Sequence, residues 1–167
     1  PTCENIYMNI IERAKDYVYI TTPYLILDDA METSLKNAAK AGVDVRIITP
    51  HIPDKKLVFE ATRASYMPLM KAGVKIYEYT PGFVHAKMFV SDDKLATVGT
   101  ANLDYRSLFL HFECGALMYR SAAVSSVKAD FLETFEKCHR CSIAEMKRRS
   151  PFGKALAFVM KIIAPLL

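Results

Sequence analysis

Apolar residues recur at helical spacing from the start of the chain, where Ile6, Ile10, Ile11 and Ala14 share one face. Asp16 ends that stretch. The next run, Tyr17-Val18-Tyr19-Ile20-Thr21, is rich in aromatic and β-branched residues and predicts a strand. Asp28 or Asp29 can cap a second helix that runs to Ala41 and stops at Gly42. Val43 to Ile48 predicts a strand closed by Thr49-Pro50, and His51-Ile52-Pro53-Asp54 a turn. A third helix is expected to about Ala72, ended by Gly73, followed by a strand from Val74 to Tyr79. The Ala-Gly-Val phrase at Gly42 and again at Gly73 is local helix–glycine–strand punctuation, not a solenoid repeat.

Pro81-Gly82 then turns the chain into two predicted strands, about Val84 to Val90 and Lys94 to Val98, with Ser91-Asp92-Asp93 as the hairpin between them. A strand from Phe112 to Tyr119 and a helix from about Ala122 to His139 complete the pattern. Helices alternating with strands predict an α/β class with helices on both faces of the sheet. The hairpin and the late strand make that sheet mixed rather than all parallel.

At 167 residues the chain is long enough to bury a core as one domain, expected over residues 1–150. Residues 151–167 read as an apolar tail carrying Lys154 and Lys161, behind the basic run Lys147-Arg148-Arg149. The tail is too short and too charged to span a bilayer; an interfacial helix and a docked terminal helix both fit it. Hydrophobic and charged contents of 51% and 24% exclude a disordered chain. A net charge of +4 favours anionic surroundings without choosing between lipid and nucleic acid. The start at Pro1 reads as a fragment of a longer protein. Cys138-His139-Arg140-Cys141 has C-x-x-C spacing but no second ligand pair, so its thiols are read as ordinary, and no metal or other cofactor is expected. Cys114 is expected to pack within its strand.

The chemistry concentrates between His85 and Glu113. His85 and Lys87 stand two apart on a predicted strand, which points both side chains to one face. Lys87 supplies a positive charge for a phosphate oxygen, while Thr100 and Asn102 are placed to donate hydrogen bonds to the same group. Gly99 lets the backbone approach closely. Glu113 is suited to accept from one imidazole nitrogen and fix its tautomer. Asp92 lies at a hairpin turn, where an aspartate usually caps its own backbone. His51, His111 and His139 lack a second catalytic group at useful spacing and are read as ordinary side chains.

The string H-x-K-x4-D from His85 to Asp92, followed by Gly99-Thr100-Ala101-Asn102, resembles the phospholipase D superfamily. Wider phrases are similar to the bacterial cardiolipin synthases: Ile20-Thr21-Thr22-Pro23-Tyr24, Pro81-Gly82-Phe83-Val84-His85-Ala86-Lys87 and Gly99-Thr100-Ala101-Asn102-Leu103-Asp104. The resemblance implies an α/β/α sandwich around a mixed β-sheet, and only the second half of an enzyme with two such motifs behind membrane helices. It further implies His85, Lys87, Asp92 and Glu113 as catalytic residues, with Lys87, Thr100 and Asn102 on substrate phosphate. The implied reaction moves a phosphatidyl group between two phosphatidylglycerol molecules through a phosphohistidine and releases glycerol, with His85 as the acid/base. The implied partners are the missing amino-terminal half, phosphatidylglycerol and a membrane surface. A homodimer of the chain is a further candidate, and nucleic acid is not expected. The parent is then a bacterial cell-membrane protein and this chain a soluble or peripheral piece of it. The rival readings are a phospholipase D-type hydrolase or nuclease, and a non-catalytic lipid-binding or assembly module.

Overall fold

The computed structural model describes residues 2–148. The chain begins with α1 (Thr2–Arg13), β1 (Tyr17–Thr21), α2 (Asp29–Lys40), β2 (Asp44–Pro50), α3 (Lys56–Lys71) and β3 (Lys75–Tyr79). It continues with β4 (Met88–Ser91), β5 (Leu95–Gly99), a π-helical turn (Arg106–Leu110), β6 (Gly115–Tyr119), α4 (Ala122–Glu136), β7 (Cys138–Arg140) and α5 (Ile143–Arg148). Among the described residues, seven strands form one mixed sheet in the order β6-β5-β4-β1-β2-β3-β7. β1, β2 and β3 run parallel; β4, β5 and β6 form an antiparallel meander attached to β1.

Side chains alternate along β1, and the alternation makes two cores. Val18 and Ile20 join α1, α2 and α3 through Ile11, Leu35 and Leu69, while Tyr17 and Tyr19 face α4 with Phe131 and Phe135. The expected sandwich is present with unequal layers. Gly42 and Gly73 carry positive φ (97° and 107°), the backbone conformation that ends α2 and α3 and returns the chain to the sheet. The fold also positions Gly99: a Cβ there would lie 2.8 Å from the Cys114 carbonyl oxygen, so β5 and β6 can pair closely only with glycine.

Three expectations need correction. Residues 83–87 are not strand; β1 leaves the sheet after Thr21, whose partner is Met88, so the chain before Met88 has no strand to pair with on that side. The segment Cys138–Arg140 is a strand, β7, antiparallel to β3, rather than the end of a helix. Cys114 is exposed and precedes β6 instead of packing inside it. Burial raises the Cys138 thiol to about 11 and the Cys141 thiol to about 12, the reverse of an activated redox pair. The tail, residues 151–167, lies outside the described residues, and among those described no helix is long and apolar enough to cross a membrane.

Candidate active site

The meander brings the candidate residues together. Because β4, β5 and β6 alternate in direction, the segment before β4, the turn after β5 and the segment before β6 end at one edge of the sheet. His85 and Lys87 come from the first, Thr100 and Asn102 from the second, and Glu113 from the third. Backbone bonds lock them: Gly99 N donates to the Lys87 carbonyl (3.1 Å) and Thr100 N to the Cys114 carbonyl (2.9 Å). The parallel strands end at the same edge and add their own loops. Thr22 Oγ1 accepts from Leu103 N (3.2 Å), and the Ile26 amide donates to the Leu103 carbonyl (2.8 Å), tying the turn after β5 to β1.

Lys87 is the buried cation of the site, 7% exposed. Its ammonium donates to the His85 carbonyl at 2.7 Å and lies 3.0 Å from both ring nitrogens of His85. A point that close to both nitrogens cannot lie in the ring plane without overlapping Cε1, so the charge sits over the face of the imidazole. Burial lowers the Lys87 pKa, while the carboxylates of Glu113 and Asp104 act to raise it. The His85 pKa is also lowered, first by burial and then by Lys87, against an opposing push from Asp54. Phe83 packs against the His85 ring in a tilted arrangement, 5.6 Å between centroids with 34° between the planes.

The expected roles of the flanking residues change in detail. Glu113 does not bond His85: its Oε2 takes the hydroxyl of Thr100, and Cys114 N donates to the same hydroxyl oxygen (2.9 Å). A hydroxyl has one proton, so a Thr100 committed to Glu113 has none for a phosphate in this arrangement. Asn102 Nδ2 donates to Asp104 (3.0 Å), and its buried Oδ1 has no partner. Asp92 is not brought to the others. It stands five residues from Lys87, roughly 17 Å along an extended chain. Its oxygens accept the backbone amides of Lys15 (2.8 Å), Asp16 (3.0 Å) and Tyr17 (2.9 Å). It thus caps another segment's backbone rather than its own.

Two carboxylates were missed by the motif reading. Asp104, 6% exposed, faces Lys87 electrostatically, holds Asn102 and accepts Ser107 N at 2.7 Å; its only sequence signal is its place in the phrase Gly99 to Asp104. Asp54, bonded to the Tyr24 hydroxyl, comes from the loop after β2 and carries no motif signal. His51 is likewise more than a free surface group: its Nδ1 lies 2.8 Å from the buried Glu78, which Arg63 also grips at 3.0 Å through two nitrogens. Among the described residues no group of three His, Cys, Asp or Glu side chains is arranged to hold a metal ion.

This fold defines a phospholipase D-like domain. Superposition on phosphatidylserine synthase from Haemophilus influenzae gives a TM-score of 0.80 at 14% identity, covering 99% of this chain and 45% of that one. The phospholipase D family member Nuc from Salmonella typhimurium gives 0.72 at 15% identity, covering 83% and 90%. The chain belongs to the family described as cardiolipin synthase, PLD-like domain, which it matches over residues 7–135. It is 38% identical over 164 residues to a cardiolipin synthase of Halalkalibacterium halodurans, covering 98% of this chain and 33% of that protein. It is 52% identical over 164 residues to an uncharacterized protein of Streptococcus mutans, again covering 98% of this chain and 36% of the relative. The chain therefore spans about a third of the length of the curated relatives it matches.

Proposed function

We propose that this chain is one half of a cardiolipin-forming phosphatidyltransferase site, completed by a second domain of the same parent polypeptide. The observation that carries the reading is the buried Lys87 ammonium over the His85 ring, at an open sheet edge where two carboxylates face it. A phosphodiester entering that edge meets a fixed cation and an imidazole together. In the first step one histidine's nitrogen forms a bond to phosphorus, the P–O bond to glycerol breaks, and the second histidine gives its proton to the departing alkoxide. In the second step the hydroxyl of another phosphatidylglycerol attacks phosphorus, its proton passes to that second histidine, and the P–N bond breaks. Lys87 holds the non-bridging oxygens through both steps.

The resemblance gives His85 the acid/base part. Burial and Lys87 favour its neutral ring, the form that accepts a proton from the incoming hydroxyl; a bound phosphodiester anion pushes the other way, toward the protonated acid. Burial disfavours the charged form of Lys87, and Glu113 and Asp104 oppose that loss of charge. Asp92 acts as a brace, fixing the far end of β4 against β1 so that its near end presents Lys87.

His85→Ala or Lys87→Ala in the full-length parent should lower cardiolipin formation by about 10² to 10⁴ with the protein still folded. Normal turnover by either variant, at equal abundance in membranes, removes these residues from the chemistry. The 167-residue chain by itself should be nearly inactive, because one imidazole cannot stand on both sides of the same phosphorus. Co-expression with the upstream half should restore turnover. Robust cardiolipin synthesis by the purified chain would replace the half-site with a symmetric dimer.

A further inference from the structure

The loop that joins β2 to α3 borders the site and is built against ordinary surface logic. Ile52 and Leu57 are 50% and 57% exposed, and Lys55 and Lys56 are exposed between them. The loop is not slack. The His51 amide donates to the Tyr79 carbonyl (3.1 Å), the His51 ring is held by buried Glu78, and Asp54 takes the Tyr24 hydroxyl. Anchored from beneath at both places, it holds its apolar side chains in water instead of letting them fold inward. Asp54 also acts on the protonation of His85, so the loop lies beside the reacting edge.

The charges repeat the anomaly. α2 begins with the Asp28 side chain accepting from Met31 N (2.9 Å) and with Asp29 and Glu32 in its first turn, as the positive end of a helix favours. α3 begins at Lys55 with no side-chain cap bond, no acidic residue in its first turn, and Lys56 as its first residue. Asp54 precedes this start and its Oδ1 accepts the Lys55 amide (2.7 Å), but that carboxylate also takes the Tyr24 hydroxyl. Two lysines remain exposed at the positive end of a helix, where an external anion would be favoured.

We propose that residues 51–57 dock the domain on an anionic phospholipid surface, with Ile52 and Leu57 entering the interfacial layer and Lys55 and Lys56 meeting lipid phosphates. The proposal rests on the reading of the chain as acting on a phospholipid. Apolar side chains interleaved with lysines match an anionic interface, which offers hydrocarbon and phosphate at adjacent depths. The core of a protein interface is depleted in lysine. The exposed patch of Phe109, Leu110 and Phe112, on the other side of the site, has no lysine among it and differs in that respect.

The chain has no tryptophan, so a single introduced indole reports its own surroundings. The 167-residue chain carrying Leu57→Trp, or in a second preparation Ile52→Trp, is mixed with phosphatidylglycerol vesicles whose acyl chains are brominated. Leu132→Trp, on the exposed surface of α4, is the control. The expected result is a blue shift and loss of more than half the emission at positions 52 and 57, with little change at 132. Combined Lys55→Ala and Lys56→Ala should weaken binding to phosphatidylglycerol vesicles about thirtyfold and leave phosphatidylcholine binding unchanged. Water-like emission at both 52 and 57 on sedimented vesicles, equal quenching at 132, or no binding to phosphatidylglycerol overturns the proposal. In the full-length parent the two readings separate: quenching at 57 without His85-dependent lipid transfer sinks the catalytic reading alone. Transfer with an unquenched indole at 57 sinks the docking loop alone.

Discussion

The parallel strands β1–β3 and the antiparallel strands β4–β6 belong to one sheet but do different work. All five residues of β1 are buried, between α1 and α2 on one face and α4 on the other. None of the five residues of β6 is fully buried, and Leu117 and Tyr119 stand 55% and 60% exposed. Burial runs from the parallel strands, joined through helices, into β4 and β5, where Phe89, Val90 and Ala96 are buried, and falls away at the edge strand β6. The motif chemistry resides in the meander, where three consecutive strand ends meet within one short stretch of chain. The difference explains why the site can be read as a motif at all: antiparallel neighbours need only short turns, so residues 85–113 lie close in sequence as well as in space, and the loop after β1 only ties the turn after β5 in place.

The comparison breaks most readily at Glu78, the buried acid of β3. It is 2% exposed and takes Arg63 twice, Tyr66 at 3.2 Å and His51. Removing one member of such a network leaves its partners unpaired, so Glu78→Ala should lower stability by about 3 kcal/mol or more. Tyr119→Ser on the open face of β6 should change it by less than about 0.5 kcal/mol. Urea unfolding of both variants decides the matter. Equal losses would mean that the open half carries as much of the fold as the covered one.

Asp92 tests the same contrast inside the motif. Its two oxygens satisfy three backbone amides at the start of β1, and it holds a positive φ of 51° in a turn with Asp93 (55°). If its part is to join the two halves, Asp92→Ala should lose about 2 kcal/mol of stability. Transfer by the folded fraction of the parent should then stay within about threefold of the unchanged enzyme. A hundredfold loss of turnover in a protein of unchanged melting temperature would put Asp92 in the chemistry instead.

Much of this was legible in the sequence because punctuation and alternation are local. Gly42 and Gly73 mark helix ends that the structure keeps, and Asp28 caps α2 as its position suggests. Errors arose where a distant partner decides the outcome. Val84 to Lys87 looks like strand, but β1 ends before it can pair there. Phe131, Phe135 and Cys138 keep helical spacing, yet pairing of residues 138–140 with β3 takes them out of α4. The site divides in the same way. His85, Lys87, Thr100, Asn102 and Glu113 come from adjacent strand ends and were visible as a set. Asp54, which acts on His85, comes from a loop of the parallel half, as do Tyr24, which bonds Asp54, and Thr22, which holds Leu103, and no spacing along the chain brings them to the site. The bond from Thr100 to Glu113 was also hidden, because residue types do not reveal which acceptor a hydroxyl will choose.

The smallest expected effect lies where the halves meet, at the His85 ring. Burial and Lys87, from the meander, push its pKa below the ordinary imidazole value, while Asp54, from the parallel half, pushes it up. Because the folded pKa is lowered, the unfolded chain takes up this proton first as pH falls. The stability that goes with a neutral His85 is therefore present above the ordinary imidazole value and is lost as pH falls through the folded one. An NMR titration of the four histidine rings, with His85 assigned from the signal missing in His85→Gln, should show its midpoint below the ordinary value. Lys87→Gln should move that midpoint up and Asp54→Asn should move it further down, so the two halves act with opposite sign on one ring. A midpoint unmoved by Asp54→Asn would confine control of the imidazole to the meander. One that falls in Lys87→Gln would mean that the ammonium does not lie against the ring.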